Sequence, residues 1–147
     1  MRAYERFLKY VTIYTTSDEE STSPPSTARQ FDLAHLLVEQ LKELGVADAA
    51  VDEKCYVYDT LPATPGYEEK PALGFVSHMD TAPAAPGENV KPQVFENYDG
   101  GDVLFAGTGE YMTVEKFPEL ANWKGQTLIT ADGTTLLGAD DKAGIAE

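Results

Sequence analysis

The stretch Ala72-Leu73-Gly74-Phe75-Val76-Ser77-His78-Met79-Asp80 decides the reading of this chain. Ala72 to Ser77 is nearly all apolar, as in a strand buried on both faces. A strand ending in His-x-Asp places both polar side chains on one face, because side chains alternate with period two. The imidazole of His78 can then take a metal through one nitrogen while the Asp80 carboxylate holds its other N–H, the usual way metal-binding histidines are fixed. A second acidic cluster, Gly138-Ala139-Asp140-Asp141-Lys142-Ala143-Gly144, follows another apolar run and puts Asp140 sixty residues beyond Asp80. Two strand ends of this kind point to a hydrolytic metal site at the carboxyl edge of an α/β sheet, where open sheets place their ligands. Taken singly, a His-x-Asp also occurs by chance, and an Asp-Asp pair ahead of a helix serves equally as its cap.

Around these motifs the pattern alternates between helix and strand. Tyr4, Phe7, Leu8 and Val11 fall at helical spacing. Thr15 to Ser26, polar and ending in Pro24-Pro25, reads as a loop. Ser26 or Thr27 then caps a second helix with the stripe Phe31, Leu33, Leu37, Leu41 and Leu44, flanked by Leu36 and Val38 and closed by Gly45. His35 lies within this helix as a packed or solvated side chain. Val51 to Leu61 reads as a strand, Pro62 to Lys70 as a turn region, and Thr81 to Glu119 as short strands and turns. Thr127–Thr130 and Thr134–Leu137 flank Asp132-Gly133, a two-residue hairpin signal.

The bulk properties narrow the function classes. A net charge of −14 argues against nucleic acid or an anionic membrane surface as a partner. An acidic field could draw in peptide α-amines or simply keep the chain soluble. The single cysteine, Cys55, excludes an internal disulfide framework and fits a reducing compartment, and its Tyr- and Val-rich surroundings indicate a buried structural thiol. Neither an apolar leader block nor a run approaching the ~20 apolar residues of a membrane span is present, so the cytoplasm is the expected location.

The strings Gly74-Phe75-Val76-Ser77-His78-Met79-Asp80-Thr81, Gly125-Gln126-Thr127-Leu128-Ile129-Thr130 and Leu136 to Glu147 resemble the peptidase T branch of the co-catalytic zinc peptidase superfamily. These are cytosolic tripeptide aminopeptidases. The resemblance extends through Arg6-Phe7-Leu8 and Glu96-Asn97-Tyr98-Asp99-Gly100-Gly101-Asp102 and so covers most of the chain. The middle segment and the Leu137 to Gly144 form argue against a dipeptidase or deacylase of the same superfamily. The resemblance implies a three-layer α/β sandwich, a mostly parallel sheet with helices on both faces. It implies that His78 ligates one of two zinc ions, that Asp80 steadies His78 as the catalytic-site aspartate, and that Asp140 bridges the metals. A cis peptide is implied just after the bridging residue, at Asp140–Asp141.

The same resemblance implies that much of the site lies outside this sequence. The family places its catalytic glutamate, an adjacent glutamate ligand, a further aspartate and a second histidine beyond the bridging aspartate. Only seven residues follow Asp140 here, and the other histidine, His35, lies elsewhere. Residues 1–147 are therefore expected to be the N-terminal part of a catalytic domain, roughly one third of a family-length chain. The lid domain and the remainder of the catalytic domain are expected to be absent from this chain. The expected activity is release of the N-terminal residue of tripeptides by the parent protein, with this chain alone inactive. The alternative is a non-catalytic remnant that binds metal weakly or associates with other chains. Missing neighbouring strands would leave an open sheet edge and favour self-association.

Overall fold

The computed structural model describes residues 1–147, and its helices follow the apolar stripes. Helix α1, Ala3–Tyr10, turns Phe7 and Tyr10 inward, with Val11 fully buried just past its end. The carboxylate of Glu5 accepts the backbone N–H of Arg2 at 2.7 Å, satisfying one of the donors that a helix start leaves without a partner. Helix α2, Gln30–Glu43, buries Leu33, Ala34 and Leu37, while Leu44 at its end is exposed. It begins later than a cap at Ser26 or Thr27 requires. Both hydroxyls are engaged elsewhere: Ser26 accepts the N–H of Asp18 at 3.1 Å, and Thr27 donates to the carbonyl of Thr16 at 3.0 Å. The intervening residues wind in a tighter turn. The far end closes as expected. Gly45, at φ +94°, donates to Lys42, and Val46 donates to Leu41, the paired bonds of a Schellman cap.

The strands are short and pair antiparallel. The expected strand Val51–Leu61 is two, β1 (Ala50–Val51) and β2 (Val57–Tyr58), because the Asp52 carboxylate accepts the N–H groups of Lys54 and Tyr56 and folds the chain back. Strand β3, Pro92–Phe95, pairs with β6, Leu128–Ala131, in the register Pro92↔Ala131 to Phe95↔Leu128. Between them lie β4 (Val103–Leu104) paired with β5 (Tyr111–Met112), and a 3-10 helical segment, Pro118–Trp123. Asp132-Gly133 does make a turn, in which Asp132 accepts both the N–H and the hydroxyl of Thr134. No strand forms over Thr134–Leu137, and Leu136 instead donates to the carbonyl of Pro86. The chain ends in α3, Ala139–Ala146.

Two apolar clusters hold these pieces. The larger joins α1, α2, Val90 and Ala146, so that the first and last helices pack together and Arg6 donates to the carbonyl of Ala146. The smaller contains Tyr98, Val103 and Leu120.

The architecture is thus a mixed α/β one of three helices and three two-stranded antiparallel sheets. The expected mostly parallel sheet with helices on both faces is not formed, and the single parallel contact is an isolated bridge, Thr16↔Thr81. The reason lies at Ala72–Ser77. This run forms no strand pairing at all, and Leu73, Phe75 and Val76 are 80%, 89% and 97% exposed. A strand needs a neighbour for its N–H and C=O groups, and no segment of this chain supplies one. No helix is long and apolar enough to cross a membrane.

Candidate functional site

His78 and Asp80 lie at the end of the exposed apolar run, and Asp140 lies at the start of α3. A turn through Gly138, in the left-handed region at φ +76°, delivers Asp140. Asp140 and Asp141 have non-helical backbone angles, so the helix proper starts after them, and the Asp140–Asp141 peptide is cis. Gly144, one turn on, sits against the Asp141 carboxylate and the Ser77 hydroxyl, space that any Cβ would invade. The segment carrying His78 can therefore approach α3.

The three expected site residues meet. Nδ1 of His78 lies 3.1 Å from the carbonyl oxygen of Asp80 and 3.1 Å from its Oδ1. Nε2 lies 2.9 Å from Oδ1 of Asp140. Every atom facing the ring is an oxygen acceptor, so Nδ1 carries a proton and donates it to Asp80. Nε2 would then offer a lone pair to a carboxylate that offers another. Two acceptors do not meet at this distance unless a positive species lies between them, either a second proton or a metal ion. Burial pulls the imidazole down, but the bond to Asp140 and the charge and bonds of Asp80 outweigh it, so His78 is held above its ordinary value.

The donor set also fits a metal in part. Imidazole and carboxylate are both ordinary zinc ligands, and two such donors on a tetrahedral ion would stand about 3.3 Å apart. A few tenths of an ångström would convert the hydrogen bond into a shared ion. The Asp140 side chain is 96% exposed, which leaves its second oxygen free for another ligand. The set stops at two donors: no group of three or more histidine, cysteine, aspartate or glutamate side chains able to hold a metal forms. His35 lies apart on α2, exposed and stacked near Phe31, and Cys55 is buried.

No family model matches the chain. It is similar to curated proteins named peptidase T: 59% identical over 145 residues to that of Alkaliphilus oremlandii, covering 97% of this chain and 36% of the relative. The chain is a peptidase T homologue. Identity to the peptidase T of Geobacillus thermodenitrificans is 56% over 144 residues, and to that of Listeria innocua 55% over 144 residues, each covering 97% of this chain and 35% of the relative. The chain thus spans about a third of the length of the curated peptidase T relatives it matches.

Two features near the site carried weak sequence signals. Thr81 follows Asp80 directly and pairs with Thr15 and Ser17 of the loop after α1, through Thr81 N–H to Thr15 and Ser17 N–H to Thr81. Lys142, two residues after Asp140, is 2% exposed and donates to the carbonyl of Ile13 at 2.8 Å. Burial pushes this lysine down to about 8. A lysine in an acidic motif reads as a surface charge, and only its place beside the small residues Ala143 and Gly144 hinted at close packing.

Proposed function

We propose that residues 1–147 form the N-terminal part of the catalytic domain of a cytoplasmic, metal-dependent aminopeptidase that removes the N-terminal residue from tripeptides. His78 and Asp140 are the ligands on this side of the site, and Asp80 is the residue that orients His78. The observation that carries the reading is the imidazole held between two carboxylates, with acceptors on both ring nitrogens. The similarity to peptidase T supports it.

In this reading the complete site holds two zinc ions, and bound zinc supplies Lewis-acid polarisation of the scissile carbonyl. The chain's own residues prepare for it. Asp80 fixes the ring so that Nε2 points outward, and the exposed Asp140 carboxylate presents one oxygen toward Nε2 and leaves the other free to bridge. The remaining ligands, the general base and the lid come from the further length that the relatives possess. The parallel strands that turn Ala72–Ser77 into the centre of a three-layer sandwich come from there too.

A second reading, a non-catalytic module that binds metal weakly or associates with other chains, is favoured by the two-donor set and by the exposed apolar run. Incubation of the purified 147-residue chain with a tripeptide and added zinc separates the two, alongside a protein of the relatives' length carrying this segment. The expected result is release of the N-terminal amino acid by the longer protein only, abolished by His78→Ala. Activity in the longer protein that survives His78→Ala overturns the assignment.

A further inference from the structure

The two halves of the candidate site meet through the His78–Asp140 contact and through two close approaches at glycines, Gly144 against Ser77 and Gly138 against Thr81. Asp140 belongs to the turn into α3, and His78 belongs to a run that is exposed and unpaired from Ala72 to Ser77. Yet both are tied to the same five-residue stretch, Ile13–Ser17, which leaves the end of α1. At one end of that stretch the Ile13 carbonyl accepts Lys142 Nζ at 2.8 Å. At the other, Thr15 and Ser17 pair with Thr81, the residue after Asp80, through backbone bonds of 3.3 and 3.0 Å, and the Thr16 and Thr81 hydroxyls meet at 3.0 Å. The stretch is well placed to act as a ruler. Thr15 and Thr16 are 0% and 7% exposed, and Val11 at its root belongs to the larger core.

We propose that Lys142 is a positioning residue which, through Ile13–Ser17, sets the separation between His78 and Asp140. This rests on the reading of that pair as metal ligands. Burying a lysine nitrogen among apolar groups costs stability unless its donors are used, and here one donor closes on a carbonyl 129 residues away in sequence. A long apolar side chain would fill the same space more favourably. What the lysine adds is a directional tether between the Asp140 turn and the stretch that holds Thr81. Losing the tether leaves the turn held only by the packing of Gly138 on Thr81 and of Gly144 on Ser77, contacts without direction, and the Asp140 carboxylate at its exposed tip has no other bond to keep it facing Nε2.

The test uses the 147-residue chain without metal, read at a single fixed pH. The chain has two histidines, so the imidazole 15N and 1H signals of His78 stand beside those of His35 as an internal reference. Lys142→Met keeps the volume and removes the donor. Val103→Ala, in the separate smaller cluster, is a control for loss of stability alone. Lys142→Met should displace the His78 Nε2 signal from its position in the hydrogen-bonded ring while His35 stays in place. Val103→Ala should move neither. Zinc affinity, measured by competition with a chelating dye, should fall about tenfold in Lys142→Met, the size of effect expected when support for a ligand is lost. Thr16→Val, which loosens the other end of the ruler, should act in the same direction and serves if Lys142→Met does not fold. His78 signals unchanged from wild type, or changed no more than in Val103→Ala, overturn the proposal. The metal reading is judged separately: wild-type chain whose zinc affinity is unaffected by His78→Ala refutes that reading, whereas the ring signals of the metal-free chain judge Lys142.

Discussion

Nε2 of His78 stands 2.9 Å from Oδ1 of Asp140, a contact that spans 62 positions of sequence and joins an unpaired run to the first turn of a helix. Since both ring nitrogens face oxygen acceptors, removing either carboxylate has a distinct signature. Asp140→Asn should turn the acceptor into a neutral amide and lower the proton affinity of His78, read as a drop in its pKa by NMR titration. Asp80→Asn should lower it too, since the charge facing Nδ1 is lost. A His78 pKa unchanged in both variants would show that the contacts do not persist in solution.

Zinc binding should rank the same residues. His78→Ala and Asp140→Ala should each abolish measurable binding to the chain, whereas Asp80→Ala should weaken it by ~10–100-fold, because Asp80 acts through His78. Binding in wild type should itself be far weaker than that of a four-ligand site. Calorimetry with zinc gives the order directly. An Asp80→Ala effect as large as that of His78→Ala would make Asp80 a ligand in its own right.

The run Ala72–Ser77 should drive association. Its apolar side chains and unpaired backbone form an open template for another strand, against which a net charge of −14 provides only screened repulsion. Sedimentation should show self-association that increases with salt and is reduced by Val76→Lys or Phe75→Asp. A monomer at all concentrations, unaffected by either substitution, would contradict this.

Asp132 should make folding sensitive to acid. Its carboxylate accepts the hydroxyl and the N–H of Thr134, bonds that hold its pKa below the ordinary carboxylate value. A folded-state pKa below the unfolded one contributes stability that is fully present above the unfolded pKa, about 4, and is lost as pH falls through the folded one. Urea midpoints measured downward from that pH should fall more steeply for wild type than for Asp132→Asn. Equal slopes would remove Asp132 from the account.

Cys55 should be a slow nucleophile. It is 3% exposed, and burial, with the nearby Asp52 charge, pushes its thiol up. Alkylation of native chain near neutral pH should lag far behind that of urea-unfolded chain. Equal rates would mean that the β1–β2 turn opens freely.

Much of this protein was legible in its sequence because the responsible forces are local. The stripe through Phe7 and Val11 and that through Leu33 and Leu37 are properties of helical periodicity, and both are buried where the spacing put them. Gly45 closes α2 because only the left-handed region completes the two capping bonds there. His-x-Asp likewise brings His78 and Asp80 together within three residues, a matter of short-range geometry. What needed the tertiary structure is non-local. Apolar content marked Ala72–Ser77 as wanting burial, but a strand exists only with a partner, and the pairings that do form are β1 with β2, β3 with β6 and β4 with β5, in antiparallel register. The start of α2 was displaced because the Ser26 and Thr27 hydroxyls were taken by Asp18 and Thr16, contacts that no helix-start rule contains. The role of Lys142 was hidden for the same reason: its acceptor is a backbone carbonyl at Ile13, and a carbonyl is carried by every residue alike, so nothing in the sequence distinguishes the one that folding brings within reach.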